Sequence, residues 1–278
     1  MRLGYNTNGL AHHRLSDAIR LLADEGYASV AITVDTGALD PYGHSYREQK
    51  DEVHALLDNL SLGRVIETGS RYLLNPRLKH DPTLIDPDPA RRAIRVDFLA
   101  RAIDLASEIE ADCVSFWSGI LRDETSEEVA LDRLANALWP VVEHAEKRSV
   151  RLAFEPEPGM FIDTFARFAK LDDRIKHPLF DLTVDLGHVH CIECGAVADH
   201  VRSWGPRIAN VHVEDMVKGV HEHLMFGEGT MDFPPILQAL RDVDYRGGLH
   251  VELSRHSHMA VEAVRRARDF LAPMIAVS

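Results

Sequence analysis

Four short apolar runs in the second half of the chain each end on an acidic or imidazole side chain. The residues at these ends are Glu155, Asp185, His212 and Glu252. A run of Val, Leu, Ile or Phe that stops on a carboxylate is typical of a buried parallel strand whose last residue faces a site. The endings recur roughly 30 to 40 residues apart, which predicts converging strands that bring three carboxylates and one imidazole to one place.

This set of side chains predicts a metal enzyme. Three carboxylates at close range strongly raise each other's pKa, and a divalent cation removes that repulsion. An isolated Asp or Glu at a strand end is more often a helix cap, so the prediction depends on the joint placement of all four groups. Oxygen-rich ligation with one imidazole favours a single divalent ion, with Mn²⁺ first and Mg²⁺, Co²⁺, Fe²⁺ or Zn²⁺ as alternatives.

Apolar runs and amphipathic segments alternate along the whole chain. The predicted strands are 2–6, 28–34, 63–67, 112–117, 150–155, 180–185, 208–213 and 248–253. The predicted helices are 14–25, 46–60, 90–110, 126–148, 162–172, 195–204, 233–242 and 257–272. Crossovers of this length imply parallel strands, and eight strand–helix units close a (β/α)8 barrel. We therefore expect an α/β protein with one TIM-barrel domain over residues 1–278, because no Gly/Ser-rich linker divides the chain.

Two long loops are predicted at the carboxyl end of the barrel. The first, 75–89, contains four prolines and follows the third strand, so we expect it to cover the barrel mouth. The second, 216–232, follows the seventh strand and contains His221 and His223. In the third helix, the apolar stripe places Arg95 on the solvent side.

The overall charge and the cysteine count argue against several classes of protein. The net charge of −13 opposes binding to a phosphate backbone, so nucleic acid is not expected as a partner. No apolar stretch approaches the roughly 20 residues of a transmembrane helix, and the N-terminus lacks a signal-peptide core, so we expect a cytoplasmic protein without a membrane partner. Three cysteines do not suggest a disulfide scaffold. We interpret Cys191 and Cys194 as ordinary residues near a helix start, rather than as a redox pair or half a zinc site.

Further side chains at predicted strand ends suit a sugar or polyol. Asn6, Glu67 and Trp117 end the first, third and fourth strands, where amide and carboxylate groups bind hydroxyls and an indole packs against C–H bonds. His188 lies three residues beyond Asp185. It could bind a second metal, hold a substrate oxygen or cap a helix, and its position beside a predicted ligand favours a role in the site.

Longer motifs surround these residues. They are FEPEP at 154–158, DLGH at 185–188, VHVED at 211–215, FGEG at 226–229 with DF at 232–233, and HVE at 250–252. With them the chain resembles the xylose isomerase-like TIM barrels, the sugar phosphate isomerase/epimerase superfamily that also includes the endonucleases of the endonuclease IV type. The resemblance extends over essentially the whole chain. It does not indicate one substrate, because the same barrel serves many sugars.

In the ketose 3-epimerases of this superfamily, a Glu, an Asp, a His and a second Glu bind one Mn²⁺-like ion. The resemblance therefore implies Glu155, Asp185, His212 and Glu252 as the metal ligands. It also implies that Glu155 and Glu252 are catalytic and move protons on opposite faces of the substrate. The histidine three residues after the aspartate contacts the sugar in those enzymes, which implies the same contact for His188.

The resemblance also bears on the segment after the seventh strand. Lys218 stands where the epimerases carry an Arg that contacts the substrate, and we expect it to bind substrate together with His221 and His223. The endonuclease branch holds three zinc ions with extra histidines, two of which match His188 and His223. The other two are missing near the ends of the third and fourth strands, and His221 replaces an Asp ligand, so the full zinc cluster is not expected.

The predicted site and the resemblance together indicate a metal-dependent isomerase or epimerase that acts on a small sugar, sugar phosphate or polyol. Proton transfer would pass through a metal-stabilised enediolate, with one glutamate removing the proton and the other returning it. The alternatives are an inosose dehydratase-like lyase, an endonuclease IV-like metal-dependent phosphodiesterase and a non-catalytic sugar-binding barrel. The resemblance also implies a homodimer or homotetramer.

Overall fold

The computed structural model describes residues 1–276, and eight of its strands pair in parallel to close a barrel. In chain order the strands are β1 (Arg2–Asn6), β2 (Ser29–Thr33), β3 (Gly63–Glu67), β4 (Val114–Phe116), β5 (Leu152–Phe154), β6 (Phe180–Asp185), β7 (Ile208–Val213), β8 (Asp215–Val217), β9 (Val220–Leu224) and β10 (Gly248–Val251). The barrel runs from β1 in sequence to β7 and closes through β10. The predicted (β/α)8 TIM barrel is therefore confirmed.

Helices lie between the barrel strands and cover the outside of the barrel. Within the described residues they are α1 (Leu15–Asp24), α2 (Tyr46–Asn59), α3 (Pro89–Glu108), α4 (Glu127–Arg148), α5 (Phe165–Ile175), α6 (Leu186–Ile192), α7 (Val197–Trp204), α8 (Phe233–Asp242) and α9 (Ala260–Ala276). Of these helices, none combines the length and apolar character that crossing a membrane requires. The predicted domain span of 1–278 stays a prediction, and its last residues, 277–278, lie outside the described part of the chain.

Two elements near the site were not predicted from the sequence. Helix α6 follows β6 directly, because Asp185 ends the strand and also caps the helix, with its side chain accepting from the backbone N–H of His188 (2.7 Å). An antiparallel hairpin, β8–β9, occupies part of the predicted loop 216–232. Residues on one face of a strand alternate, so His221 and His223 share a face of β9. Cys191 lies in α6 rather than near a helix start.

Phenylalanine side chains fill the layer between β4–β6 and the helices outside them. The ring of Phe154 lies 5.4 Å from that of Phe116, 5.9 Å from Phe168 and 5.8 Å from Phe180, measured between centroids. All four side chains are buried, and full burial of one such ring stabilises a fold by about 1.5–3 kcal/mol. This packing fixes the strands that precede Glu155 and end on Asp185.

The inside of the barrel below its mouth holds a chain of buried polar side chains. The Ser29 hydroxyl donates to Nε2 of His250 (2.9 Å), and Nδ1 of His250 donates to the side-chain oxygen of Asn210 (2.8 Å). Asn210 Nδ2 donates to Oε1 of Glu67 (3.0 Å), which also accepts from Nε2 of His212 (2.8 Å). These hydrogen bonds pair buried polar groups that would each cost about 1–3 kcal/mol if left unpaired. Together they connect the floor of the barrel to its mouth.

The segment predicted to cover the mouth is packed against the barrel as a wall. Residues 81–86 are buried. Arg95 on α3 donates to the backbone oxygens of His80 (2.9 Å) and Pro82 (2.8 Å). Arg95 is only 4% exposed, so the prediction that it faces solvent is wrong. The segment folds back over α3 and covers the side of the helix that the spacing of its apolar residues predicts to be exposed to solvent.

Gly4 on β1 leaves the space that the His250 ring occupies, because a Cβ here would lie 2.4 Å from His250 Cδ2. The change Gly4→Ala should displace this ring, break the polar chain and lower the free energy of unfolding by about 1–3 kcal/mol. Urea denaturation measures the difference. Gly37→Ala is the matched control, since nothing lies within 4 Å of its Cβ position, and it should change stability by less than about 0.5 kcal/mol. Equal stability of the two variants would contradict the role given to Gly4.

Candidate metal centre and active site

The four residues predicted to share an ion meet at the carboxyl ends of the barrel strands. Asp185 ends β6 and pairs across the sheet with His212 on β7, while Glu155 and Glu252 directly follow β5 and β10. One ligand atom from each of the four lies within 4.8 Å of those of the others. Catalytic sites of (β/α)8 barrels occupy this end of the strands.

The geometry of these groups fits one shared cation. Nδ1 of His212 lies 2.8 Å from Oε2 of Glu252, 3.3 Å from Oε1 of Glu155 and 3.9 Å from Oδ2 of Asp185. Ligands about 2.0–2.4 Å from one ion lie at most about 4.8 Å apart. Within residues 1–276, Oδ2 of Asp185 is buried and accepts no hydrogen bond. A buried carboxylate oxygen without a donor, placed among further carboxylates, is what a divalent ion would satisfy.

The protonation states of the cluster follow from burial and mutual charge. Burial raises the pKa of Glu155 to about 8, although His212 opposes the shift. Burial would also raise the pKa of Glu252, but the neighbouring imidazoles, His212 first, hold it below its usual value. Burial alone would lower the pKa of His212, whereas Glu67, Glu252 and Glu155 together hold it well above its ordinary value. Without a metal, the cluster therefore balances its carboxylates with bound protons.

Glu67 supports the imidazole from the side opposite the other acids. Its Oε1 accepts from Nε2 of His212 (2.8 Å), which leaves Nδ1 turned toward Glu155, Asp185 and Glu252. A carboxylate behind a ligating histidine fixes the tautomer and orientation of the ring and increases its basicity. Glu67, which the sequence analysis assigned to the site, lines the cavity and contacts His212. Its carboxylate contacts the histidine, in addition to lining the cavity in which we expected it to bind a sugar.

A cavity of about 220 Å³ opens above this cluster. Its lining includes the predicted residues Asn6, Glu67, Trp117, Glu155, His188, His212, His221, His223 and Glu252. The structure does not bring Lys218 to this cavity. The Lys218 ammonium is exposed and donates to the backbone oxygen of Glu193, because the β8–β9 turn directs it away from the mouth. Lys218 is therefore removed from the expected binding set.

Three histidines form one wall of the cavity. Nε2 of His221 lies 3.0 Å from Nε2 of His188, and the His223 ring lies 5.4 Å from that of His188, between centroids. Burial lowers the pKa of His188 to about 3, and burial followed by the charge of His223 lowers the pKa of His221. Neutral imidazoles can donate and accept hydrogen bonds, which suits contact with hydroxyl groups.

Trp117 is held in place by groups that the sequence did not connect to it. The His80 ring packs edge-on against the indole, with centroids 5.3 Å apart. The guanidinium of Arg95 lies 5.2 Å from the centre of the same ring. Cations over indole faces are attracted to the ring, so the buried Arg95 supports both Trp117 and the wall segment at the mouth.

Sequence reasoning gave no role to two further acids at the site. Burial and the neighbouring Glu155 raise the pKa of Glu157, which lines the cavity, well above its usual value. Burial and Asp185 do the same for Glu214. A Cβ at Gly187 would lie 1.9 Å from Oε1 of Glu214, so a larger residue here would displace the Glu214 carboxylate. The signals were present in the sequence, as the second acid of FEPEP, the first acid of VHVED and the glycine of DLGH.

The fold and the site define a (β/α)8 barrel with a cluster of potential metal ligands at its mouth. Residues 19–274 match the family model described as xylose isomerase-like TIM barrel. The chain therefore belongs to this family. The resemblance to the sugar phosphate isomerase/epimerase superfamily is confirmed at that level.

Individual relatives are distant. L-ribulose-5-phosphate 3-epimerase UlaE of Salmonella paratyphi A is 23% identical over 190 residues, which are 68% of this chain and 66% of the relative. Across three curated relatives the matched part spans 60% to 74% of the relative's length. D-allulose 3-epimerase from Methylomonas sp. superposes with a TM-score of 0.77 at 19% identity, covering 99% of this chain and 98% of that one. The IolI protein with a binding zinc atom superposes with a TM-score of 0.80 at 16% identity, covering 99% of this chain and 98% of that one. At these identities the structural likeness shows the fold.

Removing the carboxylate behind His212 tests the predicted ligand set. Glu67→Gln keeps the shape of the side chain but weakens the acceptor for Nε2–H, so metal affinity should fall about 10- to 100-fold. Titration with Mn²⁺ and Zn²⁺, followed by calorimetry, measures it. Glu124→Gln is the control, because Glu124 is exposed. Unchanged affinity in Glu67→Gln would contradict the supporting role given to Glu67.

Metal binding should also depend on pH. Glu155, with a pKa raised to about 8, and His212, with a pKa well above its usual value, both hold protons at neutral pH. An entering ion must displace these protons, so affinity should rise from about pH 6 to about pH 8 and binding should release protons. Calorimetry in buffers of different ionisation enthalpy counts them. An affinity that is constant with pH, without proton release, would contradict the proposed ligands.

Proposed function

We propose that the chain is a divalent-metal-dependent isomerase or epimerase that acts on a small ketose or related polyol. The observation that carries this proposal is the placement of the glutamates. Glu155 and Glu252 both contact the imidazole of His212, and both line the polar cavity of about 220 Å³. The names of the relatives agree, since they include 3-epimerases of a sugar phosphate and of a free ketose.

Glu155, Asp185, His212 and Glu252 would hold one ion. Three carboxylates with one imidazole favour Mn²⁺, while the zinc in the IolI protein shows that this fold also accommodates zinc. Bound there, a divalent ion would supply Lewis-acid polarisation of a carbonyl and stabilise the negative charge of an enediolate. His188, His221, His223, Asn6 and Trp117 would contact the hydroxyl groups and the C–H face of the sugar.

The two glutamates are suited to opposite halves of a proton transfer. Glu252 keeps a low pKa and is held by Asn8, whose Nδ2 donates to its Oε1 (2.7 Å), so we assign it as the base that removes the proton beside the carbonyl. Glu155, which contacts the same imidazole and lines the same cavity, is assigned as the group that returns a proton. Two carboxylates of one site divide these roles in other enzymes.

The alternative of a dehydratase needs a different acid. Elimination of a hydroxyl requires a protonated group beside the leaving oxygen, for which His188 and His223 are the candidates. Burial lowers the pKa of His188 to about 3, so this imidazole is neutral at physiological pH and His223 would have to supply the proton. The homodimer or homotetramer, the cytoplasmic location and the absence of a nucleic-acid partner stay predictions.

Solvent-deuterium exchange tests the proposal. The metal-loaded protein should incorporate deuterium at the carbon beside the carbonyl of a ketose substrate, without net elimination. Glu252→Gln should reduce this exchange about 100- to 10,000-fold, because it removes the base. Metal content of the variant, measured by mass spectrometry, separates loss of the base from loss of the ion. Glu262→Gln, at an exposed position, is the control. Exchange by Glu252→Gln at the wild-type rate would overturn the assignment.

A further inference from the structure

The mouth of the acidic cavity carries cations whose charge the protein does not neutralise. Arg71 and Lys79, both on the segment after β3, line the cavity together with the acids Glu67, Glu155, Glu157 and Glu252. Within residues 1–276, no carboxylate oxygen lies within 4.0 Å of the charged nitrogens of Arg71 or Lys79. Arg255, also at the mouth, is paired with Glu222 at 2.8 Å. Arg71 and Lys79 thus retain positive charge that a ligand can use.

Arg71 is fixed close to the proposed base. Its Nη2 donates to the backbone oxygen of Asn8 (2.8 Å), and the Asn8 side chain donates to Glu252 (2.7 Å). One residue therefore links the guanidinium to the carboxylate that we assign as base. A guanidinium carries several N–H donors in a rigid plane, so the bond to Asn8 leaves donors free for a second acceptor.

There is room beside Arg71 for a group that extends beyond the sugar. A second cavity of about 230 Å³ adjoins the first, and both are lined by Asn8, Thr33 and Arg71. Asp35 also lines the second cavity, which would repel an anion placed deep inside it. The favourable place for negative charge is therefore the first cavity, which both Arg71 and Lys79 line.

We propose that the substrate carries an anionic group, a phosphate or a carboxylate, at the end remote from the reacting carbon, and that Arg71 and Lys79 bind it. This inference rests on the proposed function and specifies its substrate class. A chain with a net charge of −13 and an acid-lined cavity would repel such a substrate, so cations at the mouth are needed to admit and orient it. Arginine suits this task, because its planar donors match phosphate and carboxylate oxygens in pairs.

The test compares matched neutral and anionic ketoses. D-fructose, D-fructose 6-phosphate, D-fructuronate, L-ribulose and L-ribulose 5-phosphate are offered to the metal-loaded protein, and deuterium exchange gives kcat and KM. We expect kcat/KM for an anionic member to exceed that of its neutral counterpart at least about 10-fold at low salt and to fall as salt rises. Comparison of the phosphates with the uronate identifies the anion.

Arg71→Gln should lower kcat/KM for the anionic ketose about 10- to 100-fold, mainly through KM, and for the neutral ketose less than about 3-fold. Lys79→Gln should act in the same direction, and its exposed side chain makes a folding defect no concern. Arg77→Gln is the matched control, an exposed arginine of the same segment that lines neither cavity.

Two outcomes overturn the inference alone. A wild-type preference for neutral ketoses would do so, and so would an equal loss for both substrates in Arg71→Gln, which would make Arg71 a support for Asn8 only. Absence of exchange with every ketose, in protein shown to contain its metal, would overturn the proposed function and this inference together. The two failures are therefore distinguishable.

Discussion

Repulsion among buried carboxylates is the constraint around which the mouth of this barrel is organised. Glu155, Asp185 and Glu252 approach one another closely, and the imidazole of His212 lies within 4 Å of all three. The imidazole can stay there because Glu67 accepts its other N–H. A cation that replaces the bound protons turns this unfavourable cluster into a stable one, since it interacts with all three acids at once. Stability and chemistry at the site thus depend on the same charge balance.

The barrel interior serves this cluster as well as filling the core. An apolar interior would leave the side-chain oxygen of Asn210 without a partner, whereas here His250 and Ser29 continue the hydrogen bonds down to the floor. Burial lowers the pKa of His250 well below its usual value, so this second imidazole is neutral and adds no charge to the chain. The orientation of His212 is therefore set by groups on several strands, which explains how a site at strand ends can be rigid.

The sequence predicted the cluster of four residues because the strand ends of a parallel barrel converge whatever the side-chain contacts between distant segments are. It was wrong about Arg95 and did not foresee the position of Lys218, for related physical reasons. Helical periodicity assigns charged residues to water, and it contains no information about a distant segment that folds over the helix and offers backbone oxygens to Arg95. Lys218 stands at the position where the related epimerases carry an arginine. The direction of its side chain, however, depends on the turn between β8 and β9. Local patterns determine strands and helices, whereas contacts between separate segments determine these two side chains.

Access to the site follows from the same contacts. The wall segment is held by Arg91, which pairs with Asp86 at 2.8 Å, as well as by Arg95, so closure of a mobile lid is not needed to exclude water on that side. Arg71 and Lys79 belong to the same segment and line the cavity. Because field lines concentrate in a narrow polar cleft, those two cations would attract an anionic ligand toward it. Exclusion of solvent and selection by charge are therefore both properties of the segment that follows β3.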